Sequence, residues 1–216
     1  MDILILIFGI VGFVFAIIIH EVSHGLVAER LGDPTARLMG RLTLNPIPHI
    51  DVIGSVFVPL ALFLLRSPFI FGWAKPVPVD PYNLKKPKKD MAIISLAGPV
   101  SNLIFAVILS MSLRMLLLIF PNTNLFTLFF YLITFNVVLA LFNLMPIGPL
   151  DGAKVLTGFL SEKNAALYTR FMDRYGFLLI LVFIFPIFNG SSILNIVISP
   201  IMSFFLKLLI PGYSLI

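Results

Sequence analysis

The chain has 216 residues, 59% of them hydrophobic and 12% charged, with a mean hydropathy of +1.07, values that exclude a water-soluble globular domain and imply an integral membrane protein. Its formal charge of +5 does not point to nucleic acid, because the basic residues lie in short segments beside apolar runs, where they set membrane orientation. With no cysteine there is no disulfide, thiolate ligand or thiol nucleophile, and any metal must be held by imidazole and carboxylate.

The first apolar stretch covers residues 3–19. No basic residue precedes it and no small-residue cleavage site follows, so it reads as a retained membrane helix and not as a secretory signal. It runs into His20 and on to about Leu31, where Gly32-Asp33-Pro34 stops it. A second apolar stretch, 52–65, is short and ends at Arg66, Ser67 and Pro68. A proline-rich basic section follows, with GWAKPVPVDP and KKPKK. Its alternation and prolines predict a short extended edge near 72–79, suited to holding an unwound peptide by strand addition.

Residues Met91 to Phe120 and Leu125 to Leu144 are each long enough to cross a hydrocarbon core of about 30 Å at roughly 1.5 Å per residue. MPIGPLDG then breaks the helix, a more polar segment covers 151–174, and apolar stretches follow at about 175–188 and 193–210. The 22 phenylalanines read as lipid and core packing. With no repeat and no long polar segment, residues 1–216 are expected to form one all-α domain embedded in lipid.

The chemistry concentrates at HEVSH. His20 and His24 are four residues apart, which on a helix sets them on one face where both reach one ion. Glu21, beside His20, is placed to face water at that ion. This is the H-E-x-x-H pattern of zinc hydrolases, in which two neutral imidazoles bind, the ion acidifies water and the carboxylate takes the proton. Five-residue patterns also arise by chance. Here, however, two of only three histidines fall in an apolar helix, where unpaired ionisable groups cost several kcal/mol and mark a functional site. A catalytic zinc site takes a third protein ligand, and the candidates near apolar segments are His49, Asp51 and Asp151.

HEVSH, GPVSN at 98–102 and NLMPIGPLDG at 143–152 are together similar, in order, to the three signatures of the site-2 protease family of intramembrane zinc metalloproteases. The resemblance frames residues 20 to 152 and implies the compact form, without PDZ or CBS domains. It implies Asp151 as the third ligand of one Zn2+, and Glu21 as catalytic base. It also draws Asn102 and Asn143 toward the site, where each could steady the scissile carbonyl or oxyanion. Helix-helix hydrogen bonding is the alternative for both amides. His49 reads as a catalytic candidate, either an outer partner of the site or a donor to the transition state, or as an interfacial loop histidine.

If Asp151 shares an ion with His20 and His24, an even number of crossings separates the first helix from the end of the 125–144 helix. One of the three intervening apolar stretches then cannot span, and 52–65, the shortest, is expected to be re-entrant. The result is five to six transmembrane helices in all, five if the re-entrant segment is not counted. Under this topology 29–50, 66–90 and 151–174 share one side and carry thirteen of the fifteen Lys and Arg residues, which the positive-inside rule assigns to the cytoplasm. The zinc lies toward that side, about 25 Å along the first helix.

The resemblance implies cleavage of a helical membrane-protein substrate, in regulated intramembrane proteolysis, at the cell membrane. The oligomeric state and the substrate are not legible. The rival readings are a metal-ion transporter, which needs ligands spaced along several helices, and a catalytically inactive relative that binds helices, which the intact Glu21 disfavours.

Overall fold

The computed structural model describes residues 3–66, 72–120, 122–185 and 192–212. Within them the chain is all-helical and carries no strand. Helix α1 covers Ile3–Leu31 and ends at Gly32, whose φ of 114° suits only glycine. A short α2, Thr35–Leu38, leads to a π-helical turn, Val52–Phe57, continued by α3, Val58–Leu64. Then come α4, Pro87–Ile119, α5, Thr123–Asn143, α6, Asp151–Phe159, α7, Glu162–Ile184, and α8, Ile193–Leu209.

Among the described residues three helices, α1, α4 and α5, are long and apolar enough to cross a membrane. Helix α8, with 17 residues, reaches about 25 Å, at the lower limit for spanning. The expected apolar stretch 175–188 turns out to be the second half of α7, continuous with a polar first half, and its last three residues lie outside the described residues. Any count above three therefore rests on α7 and α8.

The three long helices form the scaffold of the site. On α1, Ala16, His20, His24 and Ala28 recur every four residues and are all buried, one stripe that turns inward while residues such as Ile3, Ile7 and Phe8 face outward. His24 meets Ile94, and Ala16 and His20 both meet Asn102, so α4 runs antiparallel to α1. Gly12 faces Leu132 and Phe13 packs edge-on against Phe135 at 5.3 Å, so α5 runs parallel to α1. An apolar core of Ala106 and Leu113 from α4, Ile133 and Val137 from α5, and Leu206 and Leu209 from α8 fills the other end of the bundle.

The C-terminal end of α1 and the N-terminal end of α4 thus lie at the same end of the bundle, and the chain between them must leave and return on one side. The apolar segment in that interval has six residues in its π turn and seven in α3. Together they reach about 20 Å, well short of about 30 Å of hydrocarbon. This is the geometry of the expected re-entrant segment.

Candidate metal centre

Each wall of the centre has a local cause. The i, i+4 spacing on α1 sets the rings of His20 and His24 4.7 Å apart between centroids, at an interplanar angle of 87°. On α4, Gly98 backs directly onto both rings. A Cβ there would lie 2.5 Å from Nε2 of His24 and 2.6 Å from Nε2 of His20, so no side chain fits. Asp151 arrives from the other side, as the first residue of α6, where the helix dipole favours a carboxylate. The break in MPIGPLDG, which includes a cis Gly148–Pro149 bond, ends α5 and starts α6. Gly152 lets the new helix begin against the old one, since a Cβ there would stand 2.2 Å from the Leu144 carbonyl oxygen.

Oδ2 of Asp151 lies 3.0 Å from Nε2 of His20 and 3.2 Å from Nε2 of His24. Among the described residues these three form the one group of acidic and imidazole side chains whose donor atoms all fall within 4.8 Å of one another. Their far sides determine what the near sides can do. Nδ1 of His24 is 2.7 Å from the Ile94 carbonyl oxygen, and Nδ1 of His20 is 2.7 Å from Oδ1 of Asn102. Neither oxygen carries a proton, so both imidazoles donate from Nδ1. In the neutral rings Nε2 then bears a lone pair, and two lone pairs and a carboxylate oxygen converge on one point. Such an arrangement is repulsive unless a metal ion, or a further proton on an imidazole, lies between the donors. Two imidazoles and one carboxylate, with each imidazole proton held by an outer oxygen, are the donor set of a catalytic zinc site, and the residues fit the ion.

Of the three candidate third ligands, Asp151 alone comes to the imidazoles. Asp51 caps the π turn, accepting from the Gly54 N–H at 2.7 Å. His49, though buried, lies at 2.9 Å from the Thr43 carbonyl through Nε2 and is not in the wall of the cavity described below. Asn102 is fully buried and committed to His20, Ala16 and Asn136, which leaves no donor for a substrate oxyanion. Asn143 does line the cavity, with Nδ2 donating to Leu139 O at 2.9 Å.

The cavity beside the three ligands measures about 380 Å³. Glu21, Ser95, Asn143 and Lys154 contribute polar groups to its wall, and Pro76, Val77 and Val79 cover it. Those last three belong to the segment expected as an edge. Its backbone alternates as an extended chain does: Trp73 donates to Gly54 O at 3.1 Å, Lys75 to His49 O at 2.9 Å, and Val77 to Oε2 of Glu21 at 2.8 Å. Arg41 holds the segment from beneath, donating to Lys75 O at 2.7 Å and Pro76 O at 3.2 Å. The segment is therefore extended but unpaired, and its odd-numbered N–H groups turn inward. Val77 is the only residue of Pro76-Val77-Pro78 with an N–H to give, and Glu21 receives it.

Residues 119–186 match the family model of Peptidase family M50. YwhC of Bacillus subtilis, named as a candidate zinc metalloprotease, is 40% identical over 182 residues, covering 81% of this chain and 78% of that protein. The chain belongs to peptidase family M50, the site-2 proteases. Two further relatives carry the same kind of name: Rip2 of Mycolicibacterium smegmatis, 32% identical over 80% of this chain and 64% of that protein, and Rip2 of Mycobacterium tuberculosis, 31% identical over 84% of this chain and 68% of that protein. No solved structure matches the chain. This M50 peptidase is a membrane zinc metalloprotease of the site-2 kind, and the matched stretch contains Asn143, Asp151 and the break between α5 and α6.

Proposed function

We propose that residues 1–216 form one intramembrane protease domain that binds one zinc ion through His20, His24 and Asp151 and uses Glu21 as general base to hydrolyse a peptide bond in or near a transmembrane helix. The observation that carries this reading is the convergence of two Nε2 lone pairs and one carboxylate oxygen beside a cavity that Glu21 also lines. Zinc, when bound, polarises the scissile carbonyl and lowers the pKa of water toward about 7. Glu21 takes a proton from water and returns it to the leaving amine. Its Oε2 accepts the Val77 N–H, and its second oxygen remains available to take the proton from water. Asn143, the amide in the cavity wall, is placed to steady the oxyanion. His49 acts at one remove, through the carbonyl with which it anchors Lys75.

The substrate is a helical membrane protein in the bilayer, cut in regulated intramembrane proteolysis. The basic loops lie at the bundle end that holds the site, which by the positive-inside rule supports a cytoplasmic orientation of the site in the cell membrane. A single ligand cluster among the described residues weighs against a transport path. The test is Glu21→Gln in protein reconstituted with single-span peptides and read by mass spectrometry. Cleavage is expected to fall by about 10²–10⁴-fold with zinc still bound. Unchanged cleavage would refute the role of Glu21, and an absence of bound zinc in the parent protein would refute the site.

A further inference from the structure

The imidazole of His20 is useful to a metal in one tautomer only, and what selects it lies outside the cavity. Asn136, on α5, is fully buried. Its Nδ2 donates to the Leu132 carbonyl at 2.9 Å, which turns its Oδ1 away as an acceptor. Nδ2 of Asn102 lies 3.0 Å from that oxygen and 3.0 Å from the Ala16 carbonyl oxygen. Both amide protons of Asn102 are therefore directed at acceptors, and its Oδ1 has one orientation left, facing Nδ1 of His20 at 2.7 Å. Reversing either amide would set oxygen against oxygen in a place without water. The backbone carbonyls of Leu132 and Ala16 thus fix the sense of every link, and the link that ends at His20 puts the proton on Nδ1.

We propose that Asn136 is a positioning residue of the metal centre, acting through Asn102 to hold His20 as its Nδ1–H tautomer with the Nε2 lone pair directed at the ion. This rests on the zinc reading above. Ala16 alone anchors one proton of Asn102; Asn136 satisfies the second. Without it a fully buried N–H loses its partner, a loss that favours rotation of Asn102 and release of His20. Outer partners of this kind typically carry about 10–100-fold in metal affinity.

The chain has three histidines, so histidine labelled with ¹⁵N gives a spectrum that can be assigned with His49→Gln and His24→Gln controls. In the zinc-free parent protein at pH 8, neutral His20 is expected to carry its proton on Nδ1; a neutral His20 with Nδ1 unprotonated and the proton on Nε2 overturns the proposal without any variant. Asn136→Leu, close in volume and without hydrogen bonds, is expected to mix the two tautomers and raise the zinc dissociation constant, measured by chelator competition, about 10–100-fold. Asn136→Asp keeps an oxygen for Asn102 and, when protonated, a donor for Leu132; its zinc affinity should fall by less than the roughly 10-fold that marks loss of an outer partner. A lower melting temperature for Asn136→Leu with zinc affinity and tautomer unchanged would make Asn136 a packing residue and overturn the proposal. So would an affinity loss in Asn136→Asp as large as in Asn136→Leu. If the parent protein shows the tautomer but binds no zinc, the zinc reading fails and the amide relay stands.

Discussion

Replacing Gly98 with alanine places a methyl group between α4 and the two imidazoles. The added carbon would stand 2.5 Å from Nε2 of His24 and 2.6 Å from Nε2 of His20, whereas ordinary contact begins near 3.4 Å. Each donor atom would have to retreat by about 0.8–0.9 Å, and zinc ligand distances tolerate about 0.2 Å. Retreat is resisted from behind, because both rings are tethered through Nδ1 at 2.7 Å. Overpacking of this kind costs about 1–3 kcal/mol. If the cost falls wholly on the bound geometry, the zinc dissociation constant rises about 5–150-fold, since about 1.4 kcal/mol is a factor of ten. Chelator competition on purified Gly98→Ala measures it, with helix content by circular dichroism to show that the metal-free fold persists. Gly9→Ala serves as the matched control, since a Cβ there meets nothing within 4 Å, and should leave zinc affinity unchanged. Parent-like affinity in Gly98→Ala would mean that the imidazoles do not meet the ion where their Nε2 atoms now lie.

Arg41→Met removes the charged donor that holds the carbonyls of Lys75 and Pro76; exchange of the Val77 amide should quicken by about 10–100-fold, the equivalent of about 1.5–3 kcal/mol, as read by hydrogen–deuterium exchange. Asp33 is buried in the loop after α1, which by itself would raise its pKa, but donors on Thr35, Asn83 and the Asp80 backbone outweigh burial and hold the carboxyl below its usual range. A lowered folded pKa contributes stability that is complete above the unfolded value of about 3.9 and is lost as pH falls through the folded value; thermal melts from pH 7 down to pH 3 should show this loss in the parent and not in Asp33→Asn. Glu162→Ala breaks the ion pair with Lys88 at 2.7 Å, but Glu162 is 86% exposed, so the melting free energy should move by less than about 1 kcal/mol.

The parts of this protein that could be read in advance are those where local chemistry contradicts its surroundings. His20, Glu21 and His24 are conspicuous because a lipid-crossing helix has no other use for them. Asp151 is conspicuous because prolines and glycines break the chain just before it. The expectation that 52–65 is re-entrant followed from counting crossings, which needs the common ion and the basic loops but no coordinates. What escaped were relations set by partners. Asn136 precedes Asn143 by seven residues and so shares its face of α5, and an amide in an apolar helix is the same signal that drew attention to Asn143. Its role was nonetheless hidden, since nothing local says that Asn102 lies across from it. For the same reason the sequence left Asn102 open between the oxyanion and helix-helix hydrogen bonding, and its amide is found bonded to His20, Ala16 and Asn136. The π turn at Val52–Phe57 and the continuity of α7 past Arg174 depend on packing, and composition alone does not distinguish them from their neighbours.

The covering segment has one more consequence. Residues 74, 76 and 78 form its outer side, and with prolines at two of these three positions that side carries a single backbone N–H, that of Ala74. An extended chain lying open at the surface of a molecule ordinarily invites neighbours to add to it, and in a crowded bilayer such additions end in fibrils. Prolines at 76 and 78 thus leave a neighbouring strand only one N–H to pair with on that side, which blunts the edge against strand addition.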